Sequence, residues 1–250
     1  MRGIIMKKFL CMVASALMVI SLAACTSNKD ELVMATNAEF PPYEYHDDET
    51  QKIVGIDVEI CDAIANELGR KLVIEDMAFD SVLTSVQTGK ADIGAAGLTI
   101  TEDRLKNINF STPYATAAQV IIVPEGSDIT TPDDLVGKKI GVQLGTTGDI
   151  YAEDIEDATL ERYNKGFEAI QALAQGKIDA VIIDNEPAKV FVSQNDGLYI
   201  IDEAFTYEEY AIAIAKDNDQ LLNDVNAAIK KLKESGKLDE IVNKYISADN

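Results

Sequence analysis

One arginine in this 250-residue chain, Arg104, has the sequence context of a carboxylate-binding group. It follows Thr101, a good helix N-cap, and the acidic residues Glu102 and Asp103, so it falls in the first turn of a predicted helix. A cation there opposes the helix dipole, and a guanidinium presents a rigid fork of donors that matches a carboxylate. Thr99 adds a hydroxyl and a backbone N–H. Charge and spacing alone leave two alternatives open: a local salt bridge from Arg104 to Glu102 or Asp103, or an anion site.

A glycine turn, the stretch "LGTTGD" at residues 144–149, is a second candidate for anion binding. A turn that leads into a helix presents free backbone N–H groups, and Thr146 and Thr147 stand at that point. The stretch lacks the Gly-Lys-Ser/Thr ending of a phosphate-binding loop, which argues against a nucleotide. The alternative is a plain turn in which a threonine caps the helix.

Asp184 is the candidate partner for a positive charge. It ends the apolar stretch "AVII", which is typical of a central strand, and open α/β sheets bind ligands at the carboxyl ends of their strands. Its carboxylate suits an ammonium group. The alternative role is a helix cap ahead of Pro187.

Aromatic side chains in a proline-rich loop, Phe40, Tyr43 and Tyr45, offer an apolar wall. Such rings sandwich a ligand side chain or lie near an ammonium, or they only pack the loop. A cation, an anion, backbone N–H groups and an apolar wall together match the charge pattern of a zwitterion. These residue types therefore predict the binding of an α-amino acid.

The elements that position these residues alternate between strand and helix patterns, which predicts an α/β protein with a largely parallel sheet. The stretches "FDSVLTSVQTGKADIG" (79–94) and "FEAIQALAQGKIDAVI" (167–182) align with a one-residue gap. Each is typical of a helix, a glycine stop and a strand, and the alignment pairs Gly89 with Gly176 and Asp92 with Asp179. Two similar lobes explain this repeat. The alternative is that any helix–strand unit has the pattern.

The overall charge narrows the class of partner. The chain has 22 Lys and Arg against 43 Asp and Glu, a formal net charge of -21. This charge argues against nucleic-acid binding and against docking on an anionic membrane by charge. The expected partners are small molecules or a membrane protein.

The first 24 residues have the composition of a signal peptide, whether Met1 or Met6 is the start. A basic segment precedes an apolar run at residues 9–24 that is short for a spanning helix, and small residues come before Cys25. This resembles the lipobox of bacterial lipoproteins, in which the Cys is diacylated; an ordinary cleaved signal is the alternative. Residues 25–30 are then a lipidated tether, and the protein is extracytoplasmic and anchored to the bacterial cell membrane.

Cys11 lies in the leader, so Cys61 is the one cysteine that follows Cys25. Neither Cys61 nor the single histidine indicates catalysis. Cys61 lies on the apolar stripe of a predicted helix and is interpreted as a core residue. His46 lies in a charged loop, where we expect it to be solvated. The sequence shows no metal motif, and no cofactor is predicted.

Six stretches, in order along the chain, resemble extracellular solute-binding proteins of family 3, the polar amino-acid receptors of ABC transporters. They are "ATNAEFPPYEY", "GIDVEICDAIANELG", "FDSVLTSVQTGKADIGAAGLTITEDR", "INFSTPY", "DLVGKKIGVQLGTTGD" and "GKIDAVIIDNEPA". The resemblance implies an α/β, type II periplasmic-binding-protein-like fold. Two lobes, each a mostly parallel sheet flanked by helices, are joined by hinge strands near residues 117–121 and 205–211. Residues 31–118 with 209–250 form the implied lobe 1, and residues 119–208 form lobe 2.

The resemblance also implies roles for individual residues. Arg104 binds the α-carboxylate, with help from Thr99 and the backbone N–H of Thr147. Asp184 and the carbonyl of Gly97 bind the α-amino group. Two aromatic rings flank the ligand side chain: Phe40 and Phe79. The remaining candidate ligand-binding residues are Asn37, Tyr43, Gln119, Gln143 and Thr146.

One departure from the family pattern bears on the ligand. Many relatives have Asp where this chain has Asn37, and several that bind cationic ligands use acids there. The neutral amides of Asn37, Gln119 and Gln143 therefore favour a neutral, polar or modestly apolar amino acid over Lys or Arg, and Glu39 is the only acid identified nearby.

The implied function is to bind an extracellular L-amino acid between closing lobes and to deliver it to the permease of an ABC importer, as a monomer and not as an enzyme. A dehydratase-like enzyme on the same scaffold is one alternative, and it would need a general acid or base in the cleft. A lipoprotein that presents its ligand to a sensor is the other.

Overall fold

The computed structural model describes residues 30–246. The predicted signal peptide, the lipidation site Cys25 and residues 25–29 of the tether lie outside the described residues. Of the helices within residues 30–246, none combines the length and the apolar character that a bilayer span requires.

Fourteen strands are present in the described range. They are β1 (Glu31–Thr36), β2 (Glu39–Phe40), β3 (Glu44–His46), β4 (Ile53–Val54), β5 (Lys71–Asp76), β6 (Ile93–Gly94), β7 (Ile108–Phe110), β8 (Ala115–Pro124), β9 (Lys139–Gln143), β10 (Thr159–Tyr163), β11 (Ala180–Asp184), β12 (Leu198–Ile200), β13 (Thr206–Tyr210) and β14 (Ala213–Ala215).

These strands form two main sheets, and we call each sheet with its helices a lobe. Lobe 1 contains the sheet β5-β1-β6-β14-β7, and lobe 2 contains β10-β9-β11-β8-β12 with β13 paired to β8. The strands β5, β1 and β6 are parallel, as are β10, β9 and β11, whereas the neighbouring strands are antiparallel. The α/β class predicted from the alternation is confirmed. A small hairpin sheet, β2-β3-β4, adjoins lobe 1.

Eight α-helices and one short 3₁₀ helix accompany the sheets in the described range. They are α1 (Ile56–Glu67), α2 (Phe79–Gln87), α3 (Glu102–Leu105), the 3₁₀ helix Pro132–Leu135, α4 (Thr147–Ala152), α5 (Gly166–Ala174), α6 (Asn185–Ser193), α7 (Asp219–Glu234) and α8 (Lys237–Tyr245). The last two helices pack against α1, so the C-terminal segment joins lobe 1. Cys61 on α1 is fully buried, which confirms its interpretation as a core residue.

Two antiparallel strands connect the lobes. Strand β8 follows β7 of lobe 1 and continues into the sheet of lobe 2, and β13 leads back to β14 of lobe 1. Their register pairs Ala115 with Tyr210 and Gln119 with Thr206. These strands overlap the predicted hinge segments. The exact domain boundaries given above stay a prediction.

The repeat recognised in the sequence has the same local structure in both lobes. Gly89 and Gly176 each adopt positive φ, 70° and 65°, after a helix. Asp92 accepts a hydrogen bond from the backbone N–H of Val33 at 2.9 Å, and Asp179 accepts one from Lys139 at 2.8 Å. In each lobe the aspartate therefore ties the start of its own strand to the neighbouring strand.

Candidate functional site

A narrow cavity lies between the lobes, and about 10 Å³ of space within it is open to a water molecule. It is lined by Asn37, Phe40, Glu44, Phe79, Ala96, Gly97, Thr99, Arg104, Gln143, Thr146, Thr147 and Asp184. That space admits about one water molecule, so the two lobes lie close together around the lining side chains. The predicted ligand-binding residues line this cavity, except for three: Tyr43, Tyr45 and Gln119.

Arg104 is only 9% exposed, and its guanidinium contacts backbone carbonyls rather than an acid. Nη1 donates to the carbonyl of Thr99 at 2.8 Å, and Nη2 donates to that of Gly145 in lobe 2 at 3.1 Å. Asp103 pairs instead with Lys106. In residues 30–246 no carboxylate lies within ion-pair distance of Arg104, so the local salt bridge is not formed. A guanidinium has five N–H donors, and those not used here suit a ligand anion.

The short helix α3 fixes the position of this arginine. Thr101 is the N-cap, and its hydroxyl accepts the backbone N–H of Arg104 at 3.2 Å, as its residue type predicts. The guanidinium carbon lies 5.8 Å from the centre of the Phe79 ring. Burial lowers the pKa of Arg104, although nearby carboxylates oppose that shift. An arginine stays charged at neutral pH even so, so the cavity contains a desolvated positive charge.

Asp184 is 5% exposed and supplies the negative charge. It stands at the N-cap position of α6 but makes no capping hydrogen bond with its side chain. Its Oδ1 accepts the hydroxyl of Tyr210, which is fully buried. Burial, together with the charge of Glu208, raises the pKa of Asp184 to about 7. A ligand ammonium beside this carboxyl would favour its ionised form.

The glycine turn has a threonine cap, as its alternative role predicts, and its role in anion binding stays a prediction. Thr146 caps α4, since its hydroxyl accepts the N–H of Asp149 at 3.3 Å and donates to the carbonyl of Gln143 at 2.8 Å. The carboxylate of Asp149 in turn accepts the N–H of Gly145 at 3.0 Å. The turn also lines the cavity through Thr146 and Thr147. These hydrogen bonds hold the turn in place, and the turn brings the carbonyl of Gly145 in lobe 2 to the guanidinium of Arg104 in lobe 1.

Two further contacts join the lobes at the cavity. The side-chain amide of Gln143 donates to Asn37 Oδ1 at 2.9 Å, and Asn37 donates to the carbonyl of Met77 at 2.9 Å. Lys165 of lobe 2 forms an ion pair with Glu39 of lobe 1. The neutral amides at positions 37 and 143 therefore bind each other, and the acid at position 39 already has a cation.

Tyr43 and Gln119 are buried but lie outside the cavity lining. Tyr43, in the turn between β2 and β3, is 2% exposed. It packs edge-on against Tyr210, with ring centres 5.0 Å apart. Gln119 is fully buried on β8, where its amide donates to Glu208 at 3.0 Å and to Thr147 at 3.3 Å. Neither residue lines the cavity, and direct contact of either with a ligand stays a prediction. Gln119 instead fixes a lining residue.

Glycine is required at position 97. The residue has φ of +54°, and a Cβ there would stand 2.9 Å from the Phe40 ring. Its N–H donates to Asp57 Oδ2 at 3.0 Å, which orients the peptide at the edge of the cavity. Phe40 and Phe79 form apolar lining, as predicted. His46 lies outside the lining, where it is half exposed and contacts Asp76 at 3.2 Å.

Sequence reasoning missed two buried acids near the cavity. Glu44 lines it and is 1% exposed, and Glu208 on β13 accepts the hydroxyl of Thr99 at 3.0 Å. Glu44 pairs with Phe40 across the β2–β3 hairpin, so the two side chains lie on one face. Recognition of that hairpin would have identified Glu44. The hydroxyl proton of Thr99 is donated to Glu208, which leaves its backbone as the donor for a ligand.

Comparison with known proteins gives one consistent family. Residues 32–248 match the sequence profile of bacterial extracellular solute-binding proteins, family 3. The arginine-binding extracellular protein ArtP of Bacillus subtilis (strain 168) is 32% identical over 98% of this chain and 100% of the relative. An ancestral arginine-binding protein bound to arginine is 39% identical with a TM-score of 0.84, over 87% of this chain and 99% of that chain. An ancestral arginine-binding protein bound to glutamine is also 39% identical, with a TM-score of 0.81 over 87% and 98%.

Proposed function

The chain belongs to the bacterial extracellular solute-binding proteins of family 3, and on that premise we propose that it captures an L-α-amino acid for an ABC importer. One observation carries the proposal. Arg104 and Asp184, of opposite charge and from different lobes, line the same small cavity and are both at least 91% buried. Burial of a charge is costly unless the charge is paired, so the site suits a ligand that supplies both counter-charges.

The pose follows from these two groups. The α-carboxylate binds the free guanidinium donors of Arg104 and the backbone N–H groups of Thr99 and Thr147. The α-ammonium binds Asp184 and the carbonyl of Gly97. Phe40 and Phe79 flank the side chain.

We favour a cationic side chain. Glu44 is buried in the cavity lining, and its Oε2 has no hydrogen-bond partner. An acid in that position is stabilised by a ligand cation. The relative from Bacillus subtilis and an ancestral protein whose arginine complex is known are both described as arginine-binding.

A neutral or polar side chain is the second candidate, as favoured from the sequence. Its support is the Asn37–Gln143 amide contact, which presents neutral groups to the cavity. The ancestral protein bound to glutamine shows that a related fold accepts a neutral side chain.

The remaining parts of the proposal rest on the sequence. Lipidation at Cys25 anchors the receptor to the outer face of the cell membrane, where a monomer meets the permease. We propose that the protein acts by binding and not as an enzyme, which is supported by its membership of a family of solute-binding proteins. Formation of a new product from a cyclic carboxylic acid, followed by NMR, would contradict this part.

A thermal-shift panel of the twenty L-amino acids tests the function. A ligand at 100 times its Kd adds roughly 2.7 kcal/mol to the free energy of unfolding. We expect arginine or lysine to stabilise the protein most, and an exposed-site variant, Lys106→Ala, to respond in the same way. Stabilisation by neutral amino acids alone would support the second candidate. No response to any amino acid would overturn the proposed function.

A further inference from the structure

Two buried carboxyl groups, Glu44 and Asp57, face each other beside the cavity. Both are 1% exposed, and the backbone N–H of Asp57 donates to the carbonyl of Tyr43, the residue before Glu44, at 3.0 Å. Glu44 is on β3 and lines the cavity, whereas Asp57 is in the first turn of α1, behind it. The pair is therefore reached from the ligand side only through Glu44.

The hydrogen bonds around the pair suffice for one negative charge. Asp57 Oδ2 accepts the N–H of Gly97 at 3.0 Å and the hydroxyl of Tyr114 at 2.7 Å. Asp57 Oδ1 and Glu44 Oε2 are buried without a hydrogen-bond partner within residues 30–246, and neither acid belongs to an ion pair there. Two adjacent carboxylates cannot both ionise in a dry site without a cation. One proton therefore belongs to the pair.

The groups that surround Glu44 add no compensating charge. Asp57 on α1, Asp184 at the end of β11 and Asp76 at the end of β5 all act against its ionisation. Burial is the largest cause, and together they hold the pKa of the Glu44 carboxyl well above its usual range. The other titratable neighbours of the pair are uncharged at neutral pH: Tyr43, Tyr114 and Cys61. The cation of the lining, Arg104, is influenced chiefly by Glu208 and Asp184.

We propose that Glu44 and Asp57 share one proton, which a cationic ligand side chain displaces into solvent. The O–H bond of the pair breaks, the proton passes to a buffer base, and the resulting carboxylate pairs with the ligand cation. A neutral side chain leaves the proton in place. Uptake of a cationic amino acid is thereby coupled to release of one proton. The inference rests on the proposed function of the site. It identifies the Glu44–Asp57 pair as the group that distinguishes a cationic ligand side chain from a neutral one.

Calorimetric titration with a matched pair of ligands tests the coupling. Arginine and its uncharged analogue citrulline are titrated at pH 8 in two buffers with different ionisation enthalpies, which gives the number of protons released. Asp184, with a pKa of about 7, is then largely ionised. The α-amino groups of the two ligands contribute almost equally and cancel in the difference. We expect arginine to release about one proton more than citrulline, because one shared site is emptied.

Variants identify the source of the proton. Glu44→Gln should remove the difference between the two ligands, whereas Asp62→Asn, an exposed acid on the same helix as Asp57, should retain it. If citrulline binds too weakly to titrate, the pH dependence of arginine binding replaces it. The dissociation constant should then fall about tenfold per pH unit above pH 8 in the parent and less steeply in Glu44→Gln.

The outcomes separate this inference from the proposed function. Arginine binding without extra proton release, or with release that survives Glu44→Gln, overturns the shared proton and leaves the function intact. Failure of every amino acid to bind overturns the function itself, and the coupling with it.

Discussion

The repeated helix–strand units of the two lobes share their local structure but deliver opposite charges to the cavity. Asp92 and Asp179 make the same hydrogen bond to a neighbouring strand. Beyond that shared part, the chain of lobe 1 continues to Arg104, whereas the strand of lobe 2 ends in Asp184. The repeated aspartates stabilise the scaffold, whereas the two charges of the lining lie outside the repeat, and we propose that these charges bind the ligand.

The two charges are also held differently. Arg104 is permanently charged and donates to two carbonyls, one of them in the other lobe. Asp184 accepts a tyrosine hydroxyl, and burial raises its pKa to about 7. Lobe 1 therefore offers a fixed charge and lobe 2 a titratable one, so the loss of either group should have unequal consequences.

The largest effect is expected for Arg104→Ala. Removal of the only cation in the lining leaves the ligand carboxylate and two nearby acids uncompensated. We expect binding to weaken by about 2–5 kcal/mol, which is roughly 30-fold to several thousandfold. Calorimetry measures the loss, and circular dichroism checks the fold. Parent-like affinity in Arg104→Ala would show that the carboxylate binds elsewhere.

A smaller effect is expected for Asp184→Asn. The variant loses the ammonium contact but retains the shape of the side chain, and the parent carboxyl is already partly protonated at pH 7. We expect a loss of about 2 kcal/mol at pH 7, measured by the same titration. A loss as large as that of Arg104→Ala would contradict the difference between fixed and titratable charge.

The pH dependence should separate the lobes further. A protonated Asp184 cannot pair with an ammonium, so affinity should fall by up to tenfold per unit as the pH drops below about 7. In the ligand-free protein the sign is opposite. The folded pKa lies above the usual 3.8, so this group's contribution to stability is full below pH 3.8 and is lost as the pH rises through about 7. Titrations and urea melts across pH 4–8 measure both slopes, and Asp184→Asn should flatten them.

The smallest effect on binding is expected at the repeated aspartates. Asp92→Ala and Asp179→Ala each remove one hydrogen bond to a backbone N–H. We expect each variant to lose about 1 kcal/mol of unfolding free energy, with the larger loss for the less exposed Asp92, and to keep its ligand affinity. Urea denaturation measures the first quantity. A large change in affinity would contradict the separation of scaffold and site.

The sequence predicted those features that have a local signature. Arg104 in a first helical turn, a glycine turn before a helix, and Asp184 after an apolar strand were all identified, and the structure places them around one cavity. Each signal depends on backbone chemistry within a few residues, which a single sequence contains. The roles of these residues toward a ligand stay predictions.

The residues that sequence reasoning missed or misplaced depend on strand facing. Tyr43, Glu44 and Gln119 lie on or beside strands, and a shift of one residue moves a side chain to the opposite face. Strand β2 has two residues, too few for an alternating pattern. In a chain with 43 acids, one more acid carries little information, so Glu44, Asp57 and Glu208 were not distinguished from surface carboxylates.

The Lys165–Glu39 ion pair connects the lobes, and its lysine side chain is 41% exposed. A ligand enclosed in the cavity leaves only after the lobes part, and this pair breaks in that step. Because partly exposed ion pairs contribute about 1 kcal/mol or less and are screened by salt, the effect on ligand residence time is modest and varies with ionic strength. For the proposed receptor we therefore expect ligand release to be slightly faster at high ionic strength than at low ionic strength.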